Sequence, residues 1–104
     1  MKMAIRYVEK TEMDLGEKIR FRSNVRPACD ADIPFAILAA SYELIYIDID
    51  AEEEILEDSG TVDIKEHTLE ALVEPKRTGT YCLRYIYHIA DEIWVDNFQI
   101  KVKG

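Results

Sequence analysis

The feature that most constrains the fold is a period-two alternation that two neighbouring segments share and that lets each check the other. Thr80 to Ile89 places Tyr81, Leu83, Tyr85 and Tyr87 on one side, and Glu92 to Val102 places Trp94, Phe98, Ile100 and Val102 on one side. Side chains that alternate in this way belong to strands with one buried face. A tight hairpin centred on Ala90-Asp91 sets Tyr87 opposite Trp94, Leu83 opposite Phe98 and Tyr81 opposite Ile100. The large apolar side chains of both strands then share a face, which a one-residue slip would destroy. Ala-Asp is not a favoured two-residue turn, so a four-residue loop in the same register is the alternative.

The same period recurs upstream. In Lys18 to Val25, Ile19, Phe21 and Val25 point one way while Lys18, Arg20, Arg22 and Asn24 point the other. Ala4 to Val8 reads as a first, edge strand, and Arg26 to Pro34 as a loop carrying Pro27 and Pro34. Phe35 to Asp48 is a long apolar stretch. Its Tyr42 to Tyr46 portion fits a strand, and Phe35 to Ser41 fits either a strand or a short helix. Glu52 to Asp58 reads as a turn or short strand leading into Thr61 to Ile64. Thr68 to Val73 is a further strand, stopped by Pro75, and Gly79 turns the chain into the Tyr81 strand. About seven short strands separated by turn signals predict an all-β chain, a sandwich of antiparallel strands. The expected core is Ile19, Phe21, Val25, Leu44, Tyr81, Leu83, Tyr85, Trp94, Phe98 and Ile100. At 104 residues the chain is one domain, residues 1–104.

Charge narrows the partners. The net charge is -8, and residues 35 to 75 carry twelve acids against one base, Lys65. Such a surface repels phosphate backbones and anionic lipid, so neither nucleic acid nor membrane is expected as a partner. The opening Met1 to Arg6 lacks the apolar core and cleavage site of a secretory signal, and no stretch reaches the roughly 20 apolar residues of a membrane span. The expected place of synthesis is the cytoplasm. Cys29 and Cys82 are too few for a disulfide framework and are expected as free thiols in a reducing compartment.

Two resemblances bear on fold and setting. Gly79-Thr80-Tyr81-Cys82-Leu83 is similar to the start of strand F in immunoglobulin-like domains, where a tyrosine lies two residues before an inward position held in antibodies by a disulfide cysteine. The resemblance implies an immunoglobulin-like sandwich. It makes Tyr81 the corner tyrosine, with its hydroxyl bonded to nearby backbone, and puts Leu83 where the bridge would be, packed on Phe21 or Ile19. The whole layout also resembles small proteins encoded among the structural genes of tailed phages and prophages. They open with a phrase like Met13-Asp14-Leu15-Gly16-Glu17-Lys18-Ile19 and close with a Gly-x-Tyr strand and a hairpin like Trp94 to Val102. That resemblance implies a virion assembly, tail or decoration component, with self-association or other virion proteins as partners and no enzymatic role.

Chemistry-bearing motifs fail on inspection. An EF-hand loop counted from Asp48 needs glycine at its sixth position and glutamate at its twelfth, where this chain has Glu53 and Ser59. Asp48 to Glu54 therefore reads as a solvated acidic turn. Cys29-Asp30-Ala31-Asp32 with His67 or His88 has neither metal-ligand spacing nor the surroundings that activate a thiol. No catalytic, cofactor or metal residue is expected. The candidate interface is Ile86, His88, Ile93 and Val95, an apolar strip on the face of the last hairpin that should be wet. Cover by a loop or by the N-terminal segment is the competing explanation of that strip. A carbohydrate-binding or adhesion module, stacking sugars on Trp and Tyr, is the alternative function.

Overall fold

The computed structural model describes residues 7–25 and 36–104. Eight strands follow one another: β1 (Glu9–Asp14), β2 (Ile19–Asn24), β3 (Ile37–Asp48), β4 (Glu53–Thr61), β5 (Asp63–Lys65), β6 (Thr68–Val73), β7 (Gly79–Ile89) and β8 (Glu92–Lys103). They form a five-stranded sheet in the order β1-β8-β7-β3-β4 and a three-stranded sheet in the order β2-β6-β5. The protein is thus all-β, with two packed sheets. Every pairing is antiparallel except β1 with β8, which is parallel. A parallel pair needs a long connection, and here nearly the whole chain separates the two strands.

The register of the last hairpin is the expected one, with Tyr87 opposite Trp94, Leu83 opposite Phe98 and Tyr81 opposite Ile100. β3 extends that alternation across the sheet, placing Leu44 beside Leu83 and Tyr46 beside Tyr81. The inner faces close over a core in which Leu44, Leu69, Tyr81, Leu83, Tyr85 and Ile100 are fully buried. Val25 and Phe98 join them, and Phe21 and Trp94 pack against the cluster half-buried. Tyr81 bonds to both sides of its corner. Its hydroxyl accepts from the Arg77 backbone N–H at 3.2 Å and donates to Glu57 Oε1 at 2.8 Å. The Tyr46 ring stands edge-on to Tyr81, with the Arg77 guanidinium 4.1 Å above its centroid.

Several expectations are corrected. Against about seven antiparallel strands expected, the described residues form eight, and β1 pairs with β8 in parallel. The first described strand is Glu9–Asp14; of the Ala4 to Val8 segment, residues 4–6 lie outside the described residues, and Tyr7 and Val8 are not in a strand. The Arg26 to Pro34 loop and Cys29 likewise lie outside them. Of the two readings of Glu52 to Asp58, a turn or a short strand, the structure has strand from Glu53 onward, in the nine-residue β4. There Leu44 pairs with Asp58 and Ile45 with Leu56, so Glu57 is an extra, bulged residue that interrupts the period. Of the two readings left open for Phe35 to Ser41, strand is the one found, from Ile37 onward, with Phe35 outside the described residues. Ile19 is exposed, because β2 is an edge of its three-stranded sheet and Ile19 begins it.

The turn at Ala90-Asp91 has two residues, since Ile89 pairs with Glu92. Ala90 takes a φ of 55°, the left-handed conformation such a turn demands and a Cβ resists. Ala90→Gly is expected to raise stability by about 0.5–1 kcal/mol, the relief of that strain less the entropy a glycine adds to the unfolded chain. A urea titration checks this, and a lower midpoint for the variant contradicts it.

Candidate functional site

The outer face of the five-stranded sheet carries the side chains that alternate away from the core. Along β7 these are Thr80, Cys82, Arg84, Ile86 and His88; along β8, Ile93, Val95, Asn97, Gln99 and Lys101. β3 contributes Ala39, Ser41, Glu43, Ile45 and Ile47 by the same alternation. The face divides into three bands, each with a different chemistry.

At the hairpin end, Ile86 lies opposite Val95 and His88 opposite Ile93. Ile93 is 64% exposed and Val95 49%, His88 is exposed, and Ile86 is half-buried. Ser41 and Thr61 lie in the same row as Ile86 and Val95. No carboxylate sits among these outward positions. The four candidate interface residues therefore share one patch, whose apolar members meet water.

A polar belt crosses the middle. Arg84 donates from Nε to Asn97 Oδ1 at 2.9 Å and reaches Glu43 at 3.5 Å and Glu54 at 3.8 Å. A partly buried guanidinium shared between two acids and an amide is held in one place, which separates the two apolar ends.

The far end is covered. Ile45, Ile47 and Cys82 are buried, and the side chain of Tyr7 packs against them. Cys82 Sγ contacts Asn97 Oδ1 at 3.4 Å, and burial pushes its thiol up to about 11, away from the reactive range. Sequence reasoning missed this cover. The pairing that sets Cys82 beside Ile45 at outward positions joins residues far apart in the chain, so no local period signals it.

The other features argue for structure rather than chemistry. Glu70, buried on the three-stranded sheet, takes a 2.8 Å bond from Arg22 Nε, with Arg20 and Lys65 at 3.9 and 4.0 Å. That hydrogen bond, aided by the nearby cations, holds its carboxyl below the usual range. One cleft of about 310 Å³ is lined by Lys18, Glu57, Asp58, Leu72, Glu74 and Lys76, and neither histidine borders it. His67 lies in the β5–β6 turn of one sheet and His88 on the other sheet. Tyr42, Tyr46, Tyr81, Tyr85, Tyr87, Trp94, Phe21 and Phe98 all belong to or pack on the core, so these eight rings are not laid out as a sugar platform. Of the Asp48 to Glu54 stretch, residues 49–52 form the turn between β3 and β4, with Asp48 Oδ1 accepting from the Ala51 N–H at 3.1 Å. No cluster of three metal-ligating side chains occurs among the described residues.

Compared with models of known protein families and with curated proteins, the sequence matches none.

Proposed function

We propose that the chain is a non-catalytic, protein-interaction module of immunoglobulin-like build that associates with a second copy of itself through the patch of Ile86, His88, Ile93 and Val95. The observation that carries this reading is the exposure of Ile93 and Val95 on an outward sheet face where polar side chains belong. Charge selects the occupant. Copies of a chain at -8 repel one another, and this patch lets two approach without opposing carboxylates. The immunoglobulin-like build is supported by strand order: β8-β7-β3-β4 follows G-F-C-C′, and β2-β6-β5 follows B-E-D. The Tyr81 hydroxyl at its corner, four residues after Arg77, supports it as well. The virion setting, as an assembly, tail or decoration component, rests on the sequence resemblance.

Val95→Asp and Ile93→Asp test the proposal. Both side chains are exposed, so each substitution should change stability by no more than about 0.5 kcal/mol while setting a charge in the patch. The native chain is expected to self-associate, and each variant to stay monomeric with an unchanged circular dichroism spectrum. Variants that associate as the native chain does would overturn the reading.

A further inference from the structure

The open edge of β4 is the strongest remaining feature. β4 ends the five-stranded sheet and, among the described residues, pairs only with β3, so one row of its backbone groups has no strand beside it. Such an edge is where an extended chain adds as a further strand. β4 carries four acids, Glu53, Glu54, Glu57 and Asp58, and no base. Its pairing with β3 sorts its side chains. Glu54 lies opposite Ile47 and Leu56 opposite Ile45, on the outer face, while Glu53 and Ile55 alternate to the inner side, where Tyr46 lies. Leu56 is 57% exposed.

On the inner side a cleft opens. β5 ends its pairing with β6 at Glu70, so among the described residues Leu72 has a strand neighbour only in β2, and its side chain is left exposed. The cleft of about 310 Å³ lies between this end of β6 and β4, and sets the carboxylates of Glu57, Asp58 and Glu74 against the ammonium groups of Lys18 and Lys76. Lys76 Nζ is already committed, donating to Glu74 Oε1 at 2.9 Å.

We propose that the open edge of β4 docks a basic, extended segment of another protein, which adds to the sheet beside residues 53–56. Its inward side chains, lysine or arginine, meet Glu53 and Asp58 and reach the cleft. Its outward side chains, apolar, cover Leu56. Charge selects this occupant, because the β4 of a second copy would bring four more acids to the same line. The bulge at Glu57 ends the regular ladder, so the cleft takes a side chain just beyond the paired stretch. The site is on a different strand from the hairpin patch and does not depend on it.

The probe is a fluorescent peptide of about eight residues alternating lysine and valine, added to the full chain at a concentration that keeps it monomeric and read by anisotropy. Two control peptides separate charge from pairing. One has glutamate in place of lysine; the other keeps lysine but is N-methylated at every residue, so it donates no ladder hydrogen bond. Both are expected to bind at least about tenfold more weakly than the probe. Glu53→Lys, at an exposed position, is expected to weaken the probe roughly tenfold, while Glu9→Lys, the same charge change at the other edge of the sheet, stays within about threefold. Amides of β4 that exchange freely in the chain alone should become protected when the probe is bound. Absence of binding, equal binding of either control peptide, equal weakening by the two substitutions, or β4 amides left unprotected would each overturn the proposal.

Discussion

Replacing Tyr85 by alanine is expected to remove a large share of the domain's stability. Tyr85 is fully buried, and its ring forms a triangle with those of Phe21, at a centroid distance of 6.4 Å, and Phe98, at 5.6 Å. Its hydroxyl donates to the Phe21 carbonyl oxygen at 2.6 Å and is bonded by the Ala71 backbone. Phe21 and Ala71 are directly paired in the β2–β6 ladder, so a side chain of one sheet is inserted into the hydrogen bonding of the other. Removing the ring costs about 3–5 kcal/mol, set against a total stability of about 5–15 kcal/mol for a domain. Tyr85→Phe separates the two contributions. It keeps the ring but leaves buried backbone groups without their partner, at about 1–3 kcal/mol. Urea unfolding of both variants measures the difference. A Tyr85→Phe midpoint equal to that of the native chain would show that the hydroxyl does not tie the sheets.

The second large effect is alkaline. Burial holds the phenols of Tyr81, Tyr85 and Tyr87 above their ordinary value of 10.0; Glu57 adds to this for Tyr81, which is pushed up to about 12, and Asp96 adds to it for Tyr87. The fold favours the protonated phenols, while the unfolded chain releases those protons near pH 10. Their contribution to stability is therefore complete below pH 10; that of Tyr81 is lost as pH rises through about 12, and those of Tyr85 and Tyr87 at higher pH still. The Cys82 thiol, raised from 9.0 to about 11, has the same sign over a lower window. Phenolate absorbance from these three tyrosines should appear in one cooperative step, together with the loss of the strand signal in circular dichroism. Three phenolates formed in a chain whose strand signal is intact would contradict this.

The last hairpin was legible in the sequence because both strands carry the full period, and each apolar face confirms the register of the other. β2 was legible from its own alternation, and β6 as a strand stopped by Pro75, but their pairing was not. β4 was not. It carries only two large apolar residues, Ile55 and Leu56, which are adjacent and so fall on opposite faces, and its extra residue Glu57 turns inward to Tyr81, so no apolar alternation is there to be read. β1 was missed because it is a parallel edge strand that buries only Met13. Which strands share a sheet depends on pairings between residues far apart in the chain, such as Glu9 with Phe98, and local pattern does not carry them. At the candidate site the alternation placed Ile86, His88, Ile93 and Val95 outward correctly, since only register is needed for that. The cover over Cys82 comes from Tyr7, some 75 residues earlier in the chain, and lay beyond the reach of any local period.

The measurement that tests the central claim most directly is the solution mass by light scattering, over a range of protein concentration and at low and high salt. The interface we propose is apolar and is opposed by a net charge of -8, so screening should favour it. The account predicts a mass that rises with protein concentration, rises further with salt, and falls to that of the monomer in Val95→Asp. A mass fixed at that of the monomer under all these conditions would contradict the claim, as would an associated state that Val95→Asp leaves intact.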